Sequence, residues 1–358
     1  VAGVWKPLYD RFGIHIDFAY RTFRWDSEAS LKAHVHCVIV GFSVQDNPCK
    51  KLLFTSERVQ YVQNISPYLI DAPTLFIENR SKPICLVPEI CKGSQPTDGG
   101  NLIITESEYN DFIRREPSSI KYIRLFLGAD EFLNGKKRYC LWLVGASPKE
   151  LQAMPLVLER VKKVREFRQS SKKAATRKQA DTPTLFTENR QPLENFIAIP
   201  EVSSGTRRYI PMGFLNSNII CSNKLQLLPS ASIYHFAVLM SNVHMAWMRS
   251  VCGRLKSDYD YSARIVYNNF PWSTPTDEQR AKIEQTAQAI LDARNLYPDC
   301  SLADLYDEAT MPPELRKAHQ QNDKAVMQAY GFWGKLNTES ACVAELMKMY
   351  QKLAEGKA

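Results

Sequence analysis

The sequence lacks several features that would place it in a large class of proteins. Its 358 residues contain no apolar run that approaches 18 residues, so no membrane-spanning helix is predicted. No basic segment followed by an apolar one opens the chain, which argues against a secretory signal. No Gly-rich nucleotide loop follows a predicted strand, and G-x-x-x-x-G-K-[ST] is absent. The first residue is Val, and the first residues resemble the middle of a helix, so we expect a piece of a longer protein.

Cysteine pairs are also missing. The nine cysteines are dispersed and contain no C-x-x-C pair. An odd, scattered set favours reduced thiols in a cytoplasmic protein over disulfides or zinc. His34 and His36 share one face of a predicted strand, but no further Cys or His follows at ligand spacing, so we predict no metal site.

Positive charge is concentrated in one segment. The formal net charge is +8, and residues 160–178, here called the basic stripe, hold nine basic residues against one acid, Glu166. A basic stripe on an otherwise balanced chain favours a polyanionic partner. A solvated helix face with a flexible polar loop is the alternative. The nine residues are Arg160, Lys162, Lys163, Arg165, Arg168, Lys172, Lys173, Arg177 and Lys178.

A second basic region follows a buried helix. Leu239, Val243, Ala246 and Trp247 recur at helical spacing and are predicted to be core. Basic and Tyr residues then alternate, which suits a nucleic-acid surface but also a solvated loop. Residues 264–270 predict a short strand, and Thr276 with Gln279 has capping-box spacing for a long helix. The basic candidates are Arg249, Arg254 and Lys256, and the tyrosines are Tyr259, Tyr261 and Tyr267.

One decapeptide occurs twice. Residues 71–80 are DAPTLFIENR and residues 181–190 are DTPTLFTENR, with eight of ten positions matching. A Pro-Glu pair follows each copy, which predicts a duplicated turn-strand unit with a variable loop after it. The alternative is that both copies serve only architecture. The second loop carries Ser203, Ser204, Arg207 and Arg208, side chains that suit phosphate and base-edge contacts.

The remaining pattern predicts a mixed fold of the α/β (α+β) class. Residues 14–20 and 35–42 predict strands that must complete a sheet whose other strands lie outside the chain. Ser147 with Glu150 predicts a second capping box, and Pro155 predicts a helix restart. Three amphipathic helices after residue 276 predict a small bundle. The helix after Pro155 should turn its Lys and Arg outward and bury Leu158, Val161, Val164 and Phe167.

Specific motifs then match a known family. The chain resembles the carboxyl-terminal part of MmeI-like proteins, which are single-chain restriction–modification enzymes and related DNA methyltransferases. The resemblance covers nearly the whole chain. It rests on GIHIDFAYRTFRW, VHCVIVGFS, the two P-T-L-F-x-E-N-R copies, IPEVSS, RRYIPMGF, SNVHMAWMRSVCGRLKSDYDYS, IVYNNFPW and TMPPELRKAH.

The resemblance implies a parent that methylates the N6 atom of adenine with S-adenosylmethionine. It implies the last strands of a Rossmann-like methyltransferase sheet (1–62), a target-recognition domain (63–272) and a helical tail (273–358). The Asp/Asn-Pro-Pro-aromatic motif is absent, so cofactor and catalytic residues are expected upstream, where members can also carry a nuclease. Phe23 and Trp25 could stack on an extruded adenine or be core. Double-stranded DNA is the expected partner, and a scaffold that binds RNA or an acidic protein is the alternative.

Overall fold

The amino-terminal region forms an antiparallel-rich sheet preceded by a helix. The structure is a computed structural model that describes residues 1–26, 34–45, 47–55 and 58–356. The first helix ends at Phe12 and is capped by Gly13, whose left-handed backbone (φ 58°) suits a residue without a Cβ atom. The elements are α1 (Ala2–Phe12), β1 (His15–Asp26), β2 (His34–Ser43), β3 (Lys51–Phe54) and β4 (Val59–Val62).

This sheet has the strand order β2-β1-β3-β4. β1 pairs antiparallel with β2 and parallel with β3, and a register shift interrupts the β1–β2 ladder between Tyr20 and Phe23. The expectation that the partner strands all lie outside the chain was therefore wrong, because residues 51–62 supply two of them. Exposed Val38, Ile39 and Phe42 nevertheless leave apolar side chains uncovered on this sheet.

The middle region contains three small sheets. Its strands are β5 (Cys91–Lys92), β6 (Ile103–Thr105), β7 (Ile123–Leu127), β8 (Arg138–Leu141), β9 (Phe196–Pro200), β10 (Val202–Ser203), β11 (Gly213–Leu215), β12 (Ile220–Cys221), β13 (Leu225–Pro229), β14 (Gly253–Leu255) and β15 (Asp258–Asp260). They are ordered β11-β9-β13-β5, β12-β7-β8-β6 and β10-β15-β14.

Helices connect and cover these sheets. They are α2 (Glu106–Arg115), α3 (Ala129–Asn134), α4 (Pro148–Gln152), α5 (Pro155–Gln169), α6 (Ala174–Lys178), α7 (Ile233–Leu239) and α8 (Asn242–Val251). Short 3-10 helices span Pro117–Tyr122 and Gln179–Asp181. Ser147 and Glu150 form the predicted capping box of α4, and Pro155 opens α5 as predicted.

The carboxyl-terminal region is helical, as predicted. Thr276 accepts a hydrogen bond from Gln279 N–H and caps the first of these helices, which confirms the capping box. The helices are α9 (Asp277–Asn295), α10 (Leu302–Leu305), α11 (Pro313–Ala329) and α12 (Glu339–Ala354).

One apolar core joins the middle region to these helices. Leu239 at the end of α7 and Val243, Ala246 and Trp247 of α8 are buried in it, which confirms the prediction that these residues are core. The Trp247 indole donates to the Val266 carbonyl (3.0 Å) and its ring lies 6.0 Å from the Tyr350 ring in α12. Each large apolar side chain that is buried across this boundary contributes roughly 1.5–3 kcal/mol to stability. The helical tail and the middle region therefore stabilise each other.

The segment after the core helix differs from its prediction. Residues Ala263–Tyr267 form one turn of π-helix instead of a strand. The Asn269 side-chain amide donates to the carbonyls of Arg264, Ile265 and Glu78, and these bonds replace a strand ladder. Tertiary hydrogen bonds have overridden the β-branched pattern here. Among the described residues no helix combines the length and apolarity needed to traverse a bilayer.

Candidate nucleic-acid interface

Two loops are joined by backbone contacts. β10 pairs with β15, and β15 pairs with β14, so the 203–208 loop lies beside the β14–β15 hairpin. A Cβ atom on Gly205 would collide with the backbone carbonyl of Ser257 at the hairpin turn. The Gly205 N–H also donates to the Asp258 carboxylate (3.3 Å). Only glycine permits this close approach, so the shape of each loop depends on the other. We call residues 203–208 and 253–260 the loop pair.

The loop pair presents cations on aromatic supports. The exposed Arg208 guanidinium lies 5.7 Å from the ring centre of buried Tyr209. Exposed Arg254 lies 4.0 Å from the Tyr259 ring and donates to the Ser257 carbonyl (3.1 Å). A planar guanidinium stacked on a ring loses less conformational freedom when it binds, and its unused N–H groups stay available.

Lys256 lies at the tip of the hairpin. Its side chain is exposed and its backbone is left-handed (φ 57°), a conformation that is uncommon for residues other than glycine. The tight turn therefore places a cation at the outermost point of the loop pair.

The tyrosines of this region are core residues and not a stacking surface. Tyr259, Tyr261 and Tyr267 are all buried. The Tyr261 hydroxyl lies 2.9 Å from His244 Nε2, and the Tyr267 hydroxyl donates to the Pro88 carbonyl (2.7 Å). The prediction of an aromatic loop that alternates with charges was wrong in this respect, because these rings support the loop from inside.

The other candidates of the 203–208 loop differ in accessibility. Ser203 is only 2% exposed because it forms part of β10, so this predicted contact is not available at the surface. Ser204 Oγ lies 2.9 Å from Thr206 Oγ1. Burial lowers the pKa of Arg207, and the nearby carboxylates of Asp307 and Asp258 oppose that effect. Arg207 is thus half-buried, and its positive charge is balanced in part by the carboxylates of Asp307 and Asp258.

Arg249, which is predicted as a DNA contact, uses all three guanidinium nitrogens for protein partners. Its guanidinium donates through Nε and Nη2 to the two carboxylate oxygens of Glu339 (2.9 and 2.8 Å). Its Nη1 donates to the Arg208 carbonyl (3.0 Å). The predicted DNA contact of Arg249 is not tested by this geometry, but its guanidinium is 20% exposed and already paired with Glu339.

The helical part of the basic stripe is more varied than predicted. α5 buries Val157, Val161 and Val164, and Phe167 is 44% exposed where the prediction made it core. Lys162, Lys163 and Arg165 are exposed. Lys163 pairs with Glu159 (2.7 Å), and Arg165 Nε donates to the Ala180 carbonyl (3.2 Å).

Arg168 is the clearest exception in the basic stripe. Its side chain is 0% exposed, so the predicted contact with an external anion is corrected. Its three guanidinium nitrogens donate to five backbone carbonyls, which joins three separate segments. The acceptors are Pro96 (2.9 Å), Thr97 (3.0 Å), Gln179 (2.9 Å), Thr182 (2.9 Å) and Leu185 (2.7 Å).

The segment after α5 keeps its charge available. Lys172, Lys173 and Lys178 are exposed, and within the described part of the chain their ammonium groups form no hydrogen bond or ion pair. Arg177 donates to the carbonyls of Ser171 and Lys172 (2.8 and 2.9 Å), which orders the turn that carries these lysines. The free charge of the basic stripe therefore lies in residues 172–178 and at Lys162.

The repeated decapeptides serve different local contacts. The second copy has the predicted strand, since β9 directly precedes Glu201, but residues 71–90 contain no strand, so the turn-strand unit is present once and is not duplicated. The Pro-Glu segments do approach each other, since β5 and β9 flank β13 in one sheet. Lys92, from the first segment, forms an ion pair with Glu201 of the second (2.5 Å). The repeat thus contributes architecture around the loop pair.

The candidates for stacking on an extruded base lie on β1. The Phe23 ring packs edge-on against Tyr20 (5.2 Å between ring centres). The Trp25 side chain lies outside the described residues, as do those of His34 and His36. A polar groove of about 470 Å³ separates β1 from the loop pair and is lined by Arg21, Thr22, Tyr68, Arg249 and Arg254, among others.

Two basic loops held rigidly on a mixed α/β body, between a sheet and a helical bundle, define a target-recognition module. Comparison with known families shows which family of target-recognition proteins this is. The MmeI target recognition domain matches residues 71–274, the MmeI C-terminal domain residues 275–357, and the MmeI DNA-methyltransferase domain residues 1–55. The chain belongs to the MmeI family.

Two relatives show how much of the family protein is present. The chain is 39% identical to DNA methyltransferase A of Bacillus subtilis (strain 168), over 99% of this chain and 40% of that protein. It matches the structure of the Type IIL restriction-modification enzyme MmeI in complex with DNA at 48% identity and a TM-score of 0.90, over 99% of this chain and 48% of that one. The chain therefore spans less than half the length of either relative.

Proposed function

We propose that this chain recognises a specific sequence in double-stranded DNA and thereby directs an adenine-N6 methyltransferase of the restriction–modification type. The observation that carries the proposal is the loop pair, in which interlocked backbones expose Arg208, Arg254 and Lys256. Membership of the chain in the MmeI family, and the presence of DNA in the solved MmeI structure, support the same proposal.

The two kinds of cation suit two kinds of contact. A guanidinium can donate two parallel hydrogen bonds to guanine O6 and N7, so Arg208 and Arg254 are candidates for base readout. Flexible ammonium groups bind phosphates without sequence preference, which assigns Lys162, Lys172, Lys173 and Lys178 to the DNA backbone. Arg165 and Lys163 would add to this field through their exposed faces.

The parent protein would supply the chemistry. The four-stranded sheet exposes Val38 and Ile39, neighbours whose side chains project from opposite faces, so both faces require a cover. The rest of a doubly wound methyltransferase domain, with its S-adenosylmethionine, fits this requirement. In this proposal the cofactor and the catalytic residues belong to the upstream part of the parent protein. A nuclease domain, if the parent has one, would also lie upstream.

Adenine must leave the helix to be methylated, and this costs a few kcal/mol of unstacking. Arg21 of β1 lines the groove between β1 and the loop pair, and Phe23 lies beyond the register shift that follows Tyr20 in the same strand. We infer that Phe23, or Trp25, whose side chain lies outside the described residues, stacks on the extruded base while the loop pair holds the flanking duplex.

The test is binding by the full-length protein that contains this chain. Fluorescence anisotropy would compare a labelled duplex with single-stranded RNA between 50 and 200 mM salt. If about six phosphates are contacted, affinity for the duplex should fall about a thousandfold over this range. Tighter binding of the RNA would favour the scaffold alternative, and a flat salt response would refute the proposed phosphate contacts.

A further inference from the structure

The first turn of α12 contacts both of the other regions. Glu339, its first residue, binds Arg249 of α8 in a bidentate ion pair (2.9 and 2.8 Å). Ser340, the next residue, accepts a hydrogen bond from Arg21 of β1 (2.9 Å). Thr338 caps the helix through the Ala341 N–H (3.2 Å). The last helix is therefore tied to the sheet on one side and to the core helix of the middle region on the other.

Arg249 extends this connection to the loop pair. The nitrogen that is not used by Glu339 donates to the Arg208 backbone carbonyl (3.0 Å). Arg208 is the exposed arginine of the 203–208 loop, and Tyr209 directly after it is buried. The ion pair thus fixes the backbone from which the Arg208 side chain projects.

We propose that Arg249 and Glu339 are positioning residues that set the direction of the 203–208 loop and so determine how well it discriminates between base pairs. The inference rests on the proposed function. A bidentate guanidinium–carboxylate pair fixes both distance and angle, which a lysine in place of the arginine cannot do. Glu339 also gains from its place at a helix amino terminus, where a carboxylate is favoured.

A direct contact between Arg249 and DNA phosphate makes the opposite prediction. If Arg249 bound phosphate, removal of the Glu339 charge would release the guanidinium and tighten binding to every duplex. If Arg249 positions the loop, removal of that charge loosens the Arg208 carbonyl and weakens only the binding that depends on base readout.

The experiment uses Glu339→Gln in the full-length protein, with Glu345→Gln as matched control. Glu345 lies on the same helix and pairs with Lys348 on the surface (2.7 Å), so the control has the same change in charge without the connection to the loop. Dissociation constants would be measured on the cognate duplex, identified from the methylation pattern of cells that carry the intact gene, and on duplexes with one altered base pair.

We expect Glu339→Gln to weaken cognate binding about tenfold. Binding to non-cognate duplex and the slope of affinity against salt should stay as in Glu345→Gln. Arg249→Lys, which keeps the charge but loses the fork, should show the same loss of discrimination. Equal weakening on all duplexes, tighter binding, or no change in either variant would overturn the inference. Failure of the proposed function would look different, because the wild-type protein itself would then show no preference among duplexes.

Discussion

The basic stripe and the loop pair differ in how many of their cationic side chains stay accessible to a partner. Residues 160–178 contain most of the excess positive charge in the sequence, yet Arg168 is buried and Arg160 donates to the carbonyls of Asn101 and Ile103. The loop pair has fewer cations, but its backbone is held by a three-stranded sheet and the Gly205 contact. Charge density in a sequence therefore locates a basic region without showing which of its residues can bind.

The difference also separates two physical roles. The free lysines of the basic stripe lie on the short helix α6 and the turn before it, where ammonium groups can follow any phosphate. Arg208 and Arg254 of the loop pair lie over buried rings, where a fixed direction favours readout of one base pair. The basic stripe therefore contributes affinity for DNA of any sequence, and the loop pair contributes selectivity between sequences.

The largest effect is expected from Arg168→Met. This change leaves five backbone carbonyls without their donor, at about 1–3 kcal/mol for each acceptor that stays buried. We expect a loss of more than about 3 kcal/mol in the free energy of unfolding and rapid proteolysis within residues 170–185. Urea unfolding and limited proteolysis would measure both.

Arg165→Met is the matched control for that change. It removes the same charge one turn away, where only one hydrogen bond to Ala180 is lost. We expect less than about 1 kcal/mol of destabilisation. Equal stability of the two variants, with a weaker salt response for Arg168→Met, would return Arg168 to the set of phosphate contacts.

The next effect concerns the loop pair. Arg208→Ala and Arg254→Ala should each cost about 1–3 kcal/mol of binding to the cognate duplex and relax discrimination at one position. Competition binding with duplexes altered at each base pair would measure this. Arg114→Ala, an exposed arginine of α2 that pairs with Asp111, supplies the control. Uniform weakening across all duplexes would assign both arginines to phosphates.

A smaller effect per residue is expected in the basic stripe. Replacing Lys172, Lys173 and Lys178 together by Ala should reduce the slope of log affinity against log salt by about 2.7, since each phosphate contact contributes about 0.9. Discrimination between sequences should not change. Lys163→Ala, whose ammonium already pairs with Glu159, should alter the slope less than any one of the three. A change in the preferred sequence would contradict the division of roles.

The smallest effect is a pH dependence of stability that comes from Asp323, whose carboxylate accepts a hydrogen bond from Tyr209 next to the loop pair. Burial raises the pKa of Asp323 to about 6, although hydrogen bonds from Tyr209 and Asn242 and the charges of Arg208 and Arg249 oppose it. The folded state then binds this proton more tightly than the unfolded state. The contribution of Asp323 to stability is therefore full below about pH 4 and is lost as pH rises through about 6.

Asp323→Asn should remove this dependence. Between pH 5 and 7 the wild-type protein should lose about 1 kcal/mol more of its unfolding free energy than the variant does. Urea unfolding across this pH range measures the difference. The salt slope that comes from the basic stripe should not differ between the two proteins, and parallel pH profiles would show that Asp323 does not titrate as described.

Local signals in the sequence predicted local structure well. The capping boxes at Thr276 and Ser147 depend on residues three apart, and both helices begin where these pairs place them. Core helix α8 followed from apolar spacing alone. The strand prediction for residues 264–270 was wrong because the hydrogen bonds that shape this segment come from the side chains of Trp247 and Asn269. No periodic pattern in the sequence encodes such contacts.

The site was less predictable for the same reason. Arg168 has the same kind of neighbours in sequence as the exposed Arg165, and only the carbonyls of residues 96–97 and 179–185 make it a buried residue. The roles of Glu339 and Asp258 are not predictable from sequence, because an isolated acid has no sequence signature. The candidates Arg208, Arg254 and Lys256 were found because charge beside a Gly-containing turn predicts an exposed loop.

The most direct test of the central claim is the methylation pattern of genomic DNA from cells that carry the intact gene. The wild-type gene should methylate adenine in one sequence. With Arg208→Ala that sequence should become degenerate at one position, whereas the triple lysine variant should keep the sequence and methylate fewer of its copies. An unchanged sequence in the Arg208 variant, together with an altered one in the lysine variant, would contradict the account.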